Sequence, residues 1–79
     1  MSIAYVLVNC DLGFEEIIIE DLNHMEFVKE VHGTFGAYDI ITKVEHSQAE
    51  KVREAITFNI RRLPHVRSTL TLMGIPGQS

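Results

Sequence analysis

The middle of the chain limits its fold most. Val31-His-Gly-Thr-Phe-Gly-Ala-Tyr-Asp-Ile-Ile-Thr-Lys-Val44 reads as two strands that meet at a glycine corner. Glu26–Thr34 alternates in places through Phe27, Glu30 and Val31, and Ala37–Glu45 continues as an apolar strand. The Phe35-Gly36 corner makes the pair a hairpin. A hairpin at this position leaves each flank room for one strand and one helix.

The flanks supply them. Ile3–Asn9 is short and rich in β-branched and aromatic residues, as a buried strand is. Asp11 and Gly13 break it, and Phe14–Asn23 follows as a helix with Phe14, Ile17, Ile18, Asp21 and Leu22 near one face. Asp21 is the polar blemish in that stripe. On the far side, Ser47-Gln-Ala-Glu50 matches a capping box. Ala49, Val52, Ile56, Asn59, Ile60 and Leu63 then keep a helical period, with Arg61 and Arg62 in the last turn and Pro64 as the stop. Val66–Ile75 is the last strand, with Thr69 and Thr71 alternating against Leu70 and Leu72. Residues 76–79 are expected to be a flexible tail.

Strand, helix, strand, strand, helix, strand, arranged as two right-handed βαβ units, is α+β of the ferredoxin-like βαββαβ kind. It is a four-stranded antiparallel sheet with both helices on one face, formed by a single domain over residues 1–75. The other sheet face is left bare, and a second copy is its expected cover. A chain of 79 residues buries only about 60% of its unfolded surface, which adds to the incentive to associate.

Charge and composition remove several classes of function. A net charge of −4 opposes direct nucleic-acid binding, which needs surplus Lys and Arg. Arg53, Arg61, Arg62 and Arg67 read as solvated faces and helix-end charges. No apolar run approaches a membrane span, and no export signal precedes the first strand. The one cysteine, Cys10, permits no internal disulfide and suits a cytoplasmic location. The four histidines show no tight ligand spacing. His24 with His46 and Cys10 with His65 fall at opposite ends of the sheet, so neither a metal nor another cofactor is expected. No Gly-flanked Ser nucleophile or phosphate loop is present, so no catalytic residue is assigned.

What remains is a polar pair, Tyr38 and Asp39, beside exposed glycine backbone. Such a corner can seize a small zwitterion, or its residues can be plain hairpin parts, with Asp39 holding an amide and Tyr38 packing on the sheet. Phe58, and less cleanly Ile19, lie off the core stripes of their helices as candidate docking points.

Gly36-Ala-Tyr-Asp-Ile40 entering a strand, with Leu63-Pro-His-Val66 before the Thr69-Leu-Thr71 strand, resembles the effector-binding (RAM) domain of the leucine-responsive/AsnC transcription regulators. The likeness runs from Ile3 to Ile75. Two departures stand out: the sequence opens at the first strand rather than with a helix-turn-helix domain, so a stand-alone version is expected, and His65 occupies a position where the family often has Gly. The resemblance implies dimers paired through their sheets, larger rings such as octamers of four dimers, and an amino-acid effector held between dimers. Carried onto this chain, the ligand-binding residues are Thr34, Gly36, Ala37, Tyr38, Asp39, Thr69, Thr71 and Met73. The expected function is amino-acid sensing by a regulatory domain that acts through oligomerisation and partner association, full-length family relatives being one class of partner. The alternative is a small dimeric ferredoxin-like enzyme of the monooxygenase type, with its substrate between sheet and helices.

Overall fold

The computed structural model describes residues 1–75, so the expected tail at 76–79 lies outside the described residues. Seven elements follow one another: β1 (Ser2–Cys10), α1 (Glu15–Asn23), β2 (Val28–Gly33), β3 (Ile40–His46), α2 (Ala49–Glu54), a π-helical turn (Ala55–Ile60) and β4 (Val66–Met73). The strands form one antiparallel sheet in the order β2-β3-β1-β4. This is the ferredoxin-like order that the sequence predicts.

Alternation along β1 places Ala4, Val6, Val8 and Cys10 against the helices. Ile40, Thr42 and Val44 of β3 join them from one side. Ile18 and Leu22 of α1, Val52 of α2, and Ala55, Ile56 and Ile60 of the π turn close the layer from above. Each fully buried Ile or Leu contributes roughly 1.5–3 kcal/mol relative to exposure. Thr42 is the one buried polar residue among the described residues, and its hydroxyl donates to the Glu30 carbonyl at 2.9 Å. That carbonyl lies where the β2–β3 register shifts, so the threonine satisfies a bulge the ladder leaves open.

Four local expectations need correction. In α1 the stripe is turned by about one residue: Ile18 and Leu22 are buried, Ile19 packs against the core, and Ile17 and Asp21 are exposed. Ile19 is therefore no docking point, whereas Phe58 is exposed, with the Arg62 guanidinium 5.0 Å from its ring centre. The capping box does not form. Gln48 is the N-cap with no side-chain bond, and its amide donates instead to His46 Nδ1 at 2.9 Å. The second helix also does not remain α-helical to Leu63. The Arg61 amide reaches back five residues to the Ile56 carbonyl at 2.9 Å. The wider turn leaves Asn59 exposed while Ile56 and Ile60 stay in the core.

The hairpin corner is longer than expected. β2 ends at Gly33 and β3 begins at Ile40, so residues 34–39 form a loop rather than a tight turn. Its neck is closed by the Thr34 amide on the Asp39 carbonyl at 2.8 Å and by the Thr34 hydroxyl on the Tyr38 carbonyl at 2.7 Å. Gly36 has φ of +125°, which an L side chain rarely adopts.

Candidate functional site

Asp39 organises one end of the sheet. Its amide donates to the Val8 carbonyl at 3.0 Å, and its carboxylate accepts the Cys10 amide, also at 3.0 Å. Both bonds tie the loop to β1, so part of the plain structural role holds for this side chain. Two open clefts flank it. One, of 390 Å³, is lined by Asn9, Cys10, Asp39, Arg67 and Ser68. The other, of 440 Å³, is lined by Glu15, Gly33, Thr34, Phe35 and Asp39.

The loop itself is presented outward. Phe35, Gly36 and Ala37 are exposed, and a side chain built on Gly36 would meet nothing within 4 Å. The amides of residues 35–38 have no hydrogen-bond partner among the described residues. Consecutive unpaired amides on a loop are suited to an anion such as an α-carboxylate. Tyr38 is half-buried beside them.

Thr69, Thr71 and Met73 lie elsewhere. They pair with Val8, Val6 and Ala4, whose side chains are buried against the helices, so they share the helix-facing side rather than the outer face. Thr69 accepts from Arg61 Nε at 3.3 Å. Thr71 and Met73 line a separate cleft of 250 Å³ with Arg53, Ile56, Thr57 and Arg61. Cys10, tied to Asp39, and Ala4, paired with Met73, are six positions apart on β1, or about 20 Å at strand rise. One protomer therefore divides the expected ligand-binding set into a loop half and a β4 half, the latter formed by Thr71 and Met73, while Thr69, opposite Val8, lies nearer the loop.

Asn9, Arg67 and Ser68 join the loop half, although nothing in the sequence marks them as site residues and Arg67 reads there as a surface charge. The β1–β4 register brings Arg67 and Ser68 to Asp39, and Asn9 precedes Cys10 on β1. His65, just before β4, takes φ of +72°. Its carbonyl accepts the Asp11 amide at 2.9 Å, its ring stacks on Phe14 with centroids 3.6 Å apart, and its Nδ1 lies 3.2 Å from Asp11 Oδ2. His65 is thus a strained residue held from three sides.

Catalytic chemistry has little to work with. Burial first, then the Asp39 and Glu15 carboxylates, push the Cys10 thiol up, away from the reactive thiolate. Among the described residues no group of three or more His, Cys, Asp or Glu side chains could hold a metal. His24 is occupied by the Glu20 carbonyl, 2.8 Å from Nδ1. The space between sheet and helices, where a monooxygenase-type enzyme would hold its substrate, is filled by the apolar core. No helix is long and apolar enough to cross a membrane among the described residues.

The profile of the Lrp/AsnC ligand binding domain matches residues 3–75. The chain belongs to the Lrp/AsnC ligand-binding domain family. Its function is that of a regulatory effector-binding domain, not of an enzyme. The solved protein FFRP-DM1 is 35% identical, with a TM-score of 0.91 over 95% of this chain and 100% of its own. Hypothetical protein PHS023 from Pyrococcus horikoshii is also 35% identical, with a TM-score of 0.89 over 95% of this chain and 90% of its own. The transcriptional regulator NMB0573 from Neisseria meningitidis, solved as a complex with L-Met, shares the fold at a TM-score of 0.84 and 9% identity. The match covers 99% of this chain and 52% of that regulator. No curated protein sequence is significantly similar to the chain.

Proposed function

We propose that this domain senses an amino-acid-type effector in sites completed between copies of itself, and that it acts through assembly and through association with partners such as full-length family relatives. The observation that carries this reading is the division of the site. The interior is full, the clefts are open on one side, and Thr71 and Met73 line a different cleft from the loop, with Met73 about 20 Å along β1 from the Asp39 end. A neighbouring copy that sets its loop against the β4 cleft supplies the missing wall. In the assembled site the free amides beside Gly36 hold the α-carboxylate, and Asp39 with nearby carbonyls holds the α-ammonium. Thr34 and Ala37 support the loop half, while Thr69, Thr71 and Met73 line the side-chain half.

The bare sheet face provides the dimer in the same proposal. Tyr5 pairs with Leu72, and Leu7 with both Leu70 and Ile41, giving an apolar patch across three strands. Tyr5, Leu70 and Leu72 are exposed in the protomer. A second sheet laid on this face removes them from water. Ring assemblies such as octamers then follow from contacts between dimers, and the single, buried, unpaired Cys10 suits the reducing cytoplasm.

The effector bound between copies shifts the population toward the assembled state by mass action. The test is thermal melting with and without a panel of amino acids, for the native chain and for Tyr38→Ala. A ligand that raises the melting temperature of the native chain, and does so less for the variant, supports sensing. A flat response to the whole panel contradicts it.

A further inference from the structure

The cleft between β4 and the π turn contains features that a neutral effector does not need. Arg53 and Arg61 both line it, and neither forms an ion pair among the described residues. The Thr71 hydroxyl is buried and has no hydrogen-bond partner. Thr57 adds a second hydroxyl, while Ile56 and Met73 give the cleft an apolar side. An unmet buried hydroxyl costs stability, and two like charges left unpaired around one hollow repel each other. One oxyanion relieves both conditions.

The overall charge distribution agrees. The chain is acidic, yet five of its seven Lys and Arg and only one of its eleven acids lie from Lys51 onward. Of these cations, Arg53 and Arg61 make the cleft a positive spot on a negative protein, which favours an anion there. At 250 Å³ the space is below the range of drug-sized sites and fits an amino-acid-sized molecule.

We infer that the effector is acidic: an amino-acid-sized dicarboxylate whose distal carboxylate is held by Arg53 and Arg61, with the Thr71 hydroxyl donating to it. This deepens the sensing proposal and rests on it for the first carboxylate, which the loop of a neighbouring copy would hold. The distal group is recognised by charge-assisted bonds, and Arg presents donors in a fork that suits a carboxylate. An amide in its place loses that charge, and an aliphatic side chain leaves both guanidinium groups unpaired.

Calorimetric titration of the whole chain with L-glutamate, glutarate, L-glutamine and L-leucine tests the assignment. L-glutamate or glutarate should bind at least roughly tenfold more tightly than L-glutamine and L-leucine, with an affinity that falls as salt rises. Arg53→Gln and Arg61→Gln should each remove about tenfold of that affinity. Arg61→Gln also loses the bond to Thr69, so Arg53→Gln is the cleaner of the two. Thr71→Val separates binding from folding: the melting temperature of the free protein should hold or rise, because an unmet hydroxyl is removed, while affinity for the acid falls. If L-leucine binds as tightly as the acids and the arginine variants bind it unchanged, the acidic assignment is overturned and sensing survives. If none of the four binds, the acidic assignment is overturned with no support left for sensing by these ligands.

Discussion

His65 shows how much a single residue can hold in an unfavourable state. A non-glycine side chain at φ of +72° costs on the order of 1–3 kcal/mol, and the Phe14 stack and the Asp11 contact offset it. His65→Ala keeps the strain and loses both contacts, so chemical denaturation should show a loss of about 1–2 kcal/mol. His65→Gly loses the same contacts but relieves the backbone, and should fall within about 1 kcal/mol of the native chain. Equal losses for the two variants would mean that backbone strain is absent. Cys10 tests a different property. Its thiol proton is held more tightly in the folded chain than in the unfolded chain, because burial and the neighbouring carboxylates disfavour the thiolate. This contribution is fully present below the ordinary thiol pKa and is lost as pH rises through the raised value. Reaction with an aromatic disulfide at neutral pH should be slow when folded and become fast on denaturation. Equal rates in the two states would contradict a buried, protonated Cys10.

At the scale of elements, the strand and helix order was legible because apolar residues change period clearly between 2 and 3.6 along the chain. The errors share a cause: a local pattern competes with contacts that only the tertiary structure makes. Ile17, Ile18 and Ile19 are three consecutive isoleucines, so sequence alone cannot set the rotation of α1, and packing over β2 and β3 decides it. The capping box at Ser47 and Glu50 fits the known pattern, but the His46 ring takes the Gln48 amide. Ser47→Ala should therefore change stability by less than about 0.5 kcal/mol, against roughly 0.5–2 kcal/mol for a working cap. A denaturation midpoint shifted by the larger amount would restore the capping box. The loop half of the site was legible from Gly36, Tyr38 and Asp39, whose types suit a corner with open amides. The position of Thr69 and Thr71 was not, since alternation shows that they share a face but not which face. Asp39 has a consequence for mutagenesis. Its carboxylate closes the Cys10 amide, so Asp39→Ala leaves that donor unpaired and should cost about 1–3 kcal/mol of stability besides any ligand effect. Tyr38→Ala is therefore the cleaner probe of ligand binding.

The whole molecule has one packed interface and one bare one. The helix layer covers half of a four-stranded sheet, and Tyr5, Leu70 and Leu72 remain exposed on the other half. Glu30, His32 and Lys43 border that patch, and the hydrogen bond from His32 and then the charge of Lys43 hold the Glu30 carboxyl below its usual range. Leu72→Glu places a charge within the apolar patch of the proposed dimer face and leaves the helix-side core intact. Sedimentation should show it as a folded monomer, and an unchanged dimer would move the interface elsewhere. The central claim is that copies of this chain complete each other's effector sites, and light scattering of the native protein across a concentration series, with and without a bound amino acid, tests it most directly. The account predicts at least a dimer without ligand and a shift toward larger multiples of the dimer when ligand is added. A mass that stays at one protomer at every concentration, with ligand or without it, would contradict it.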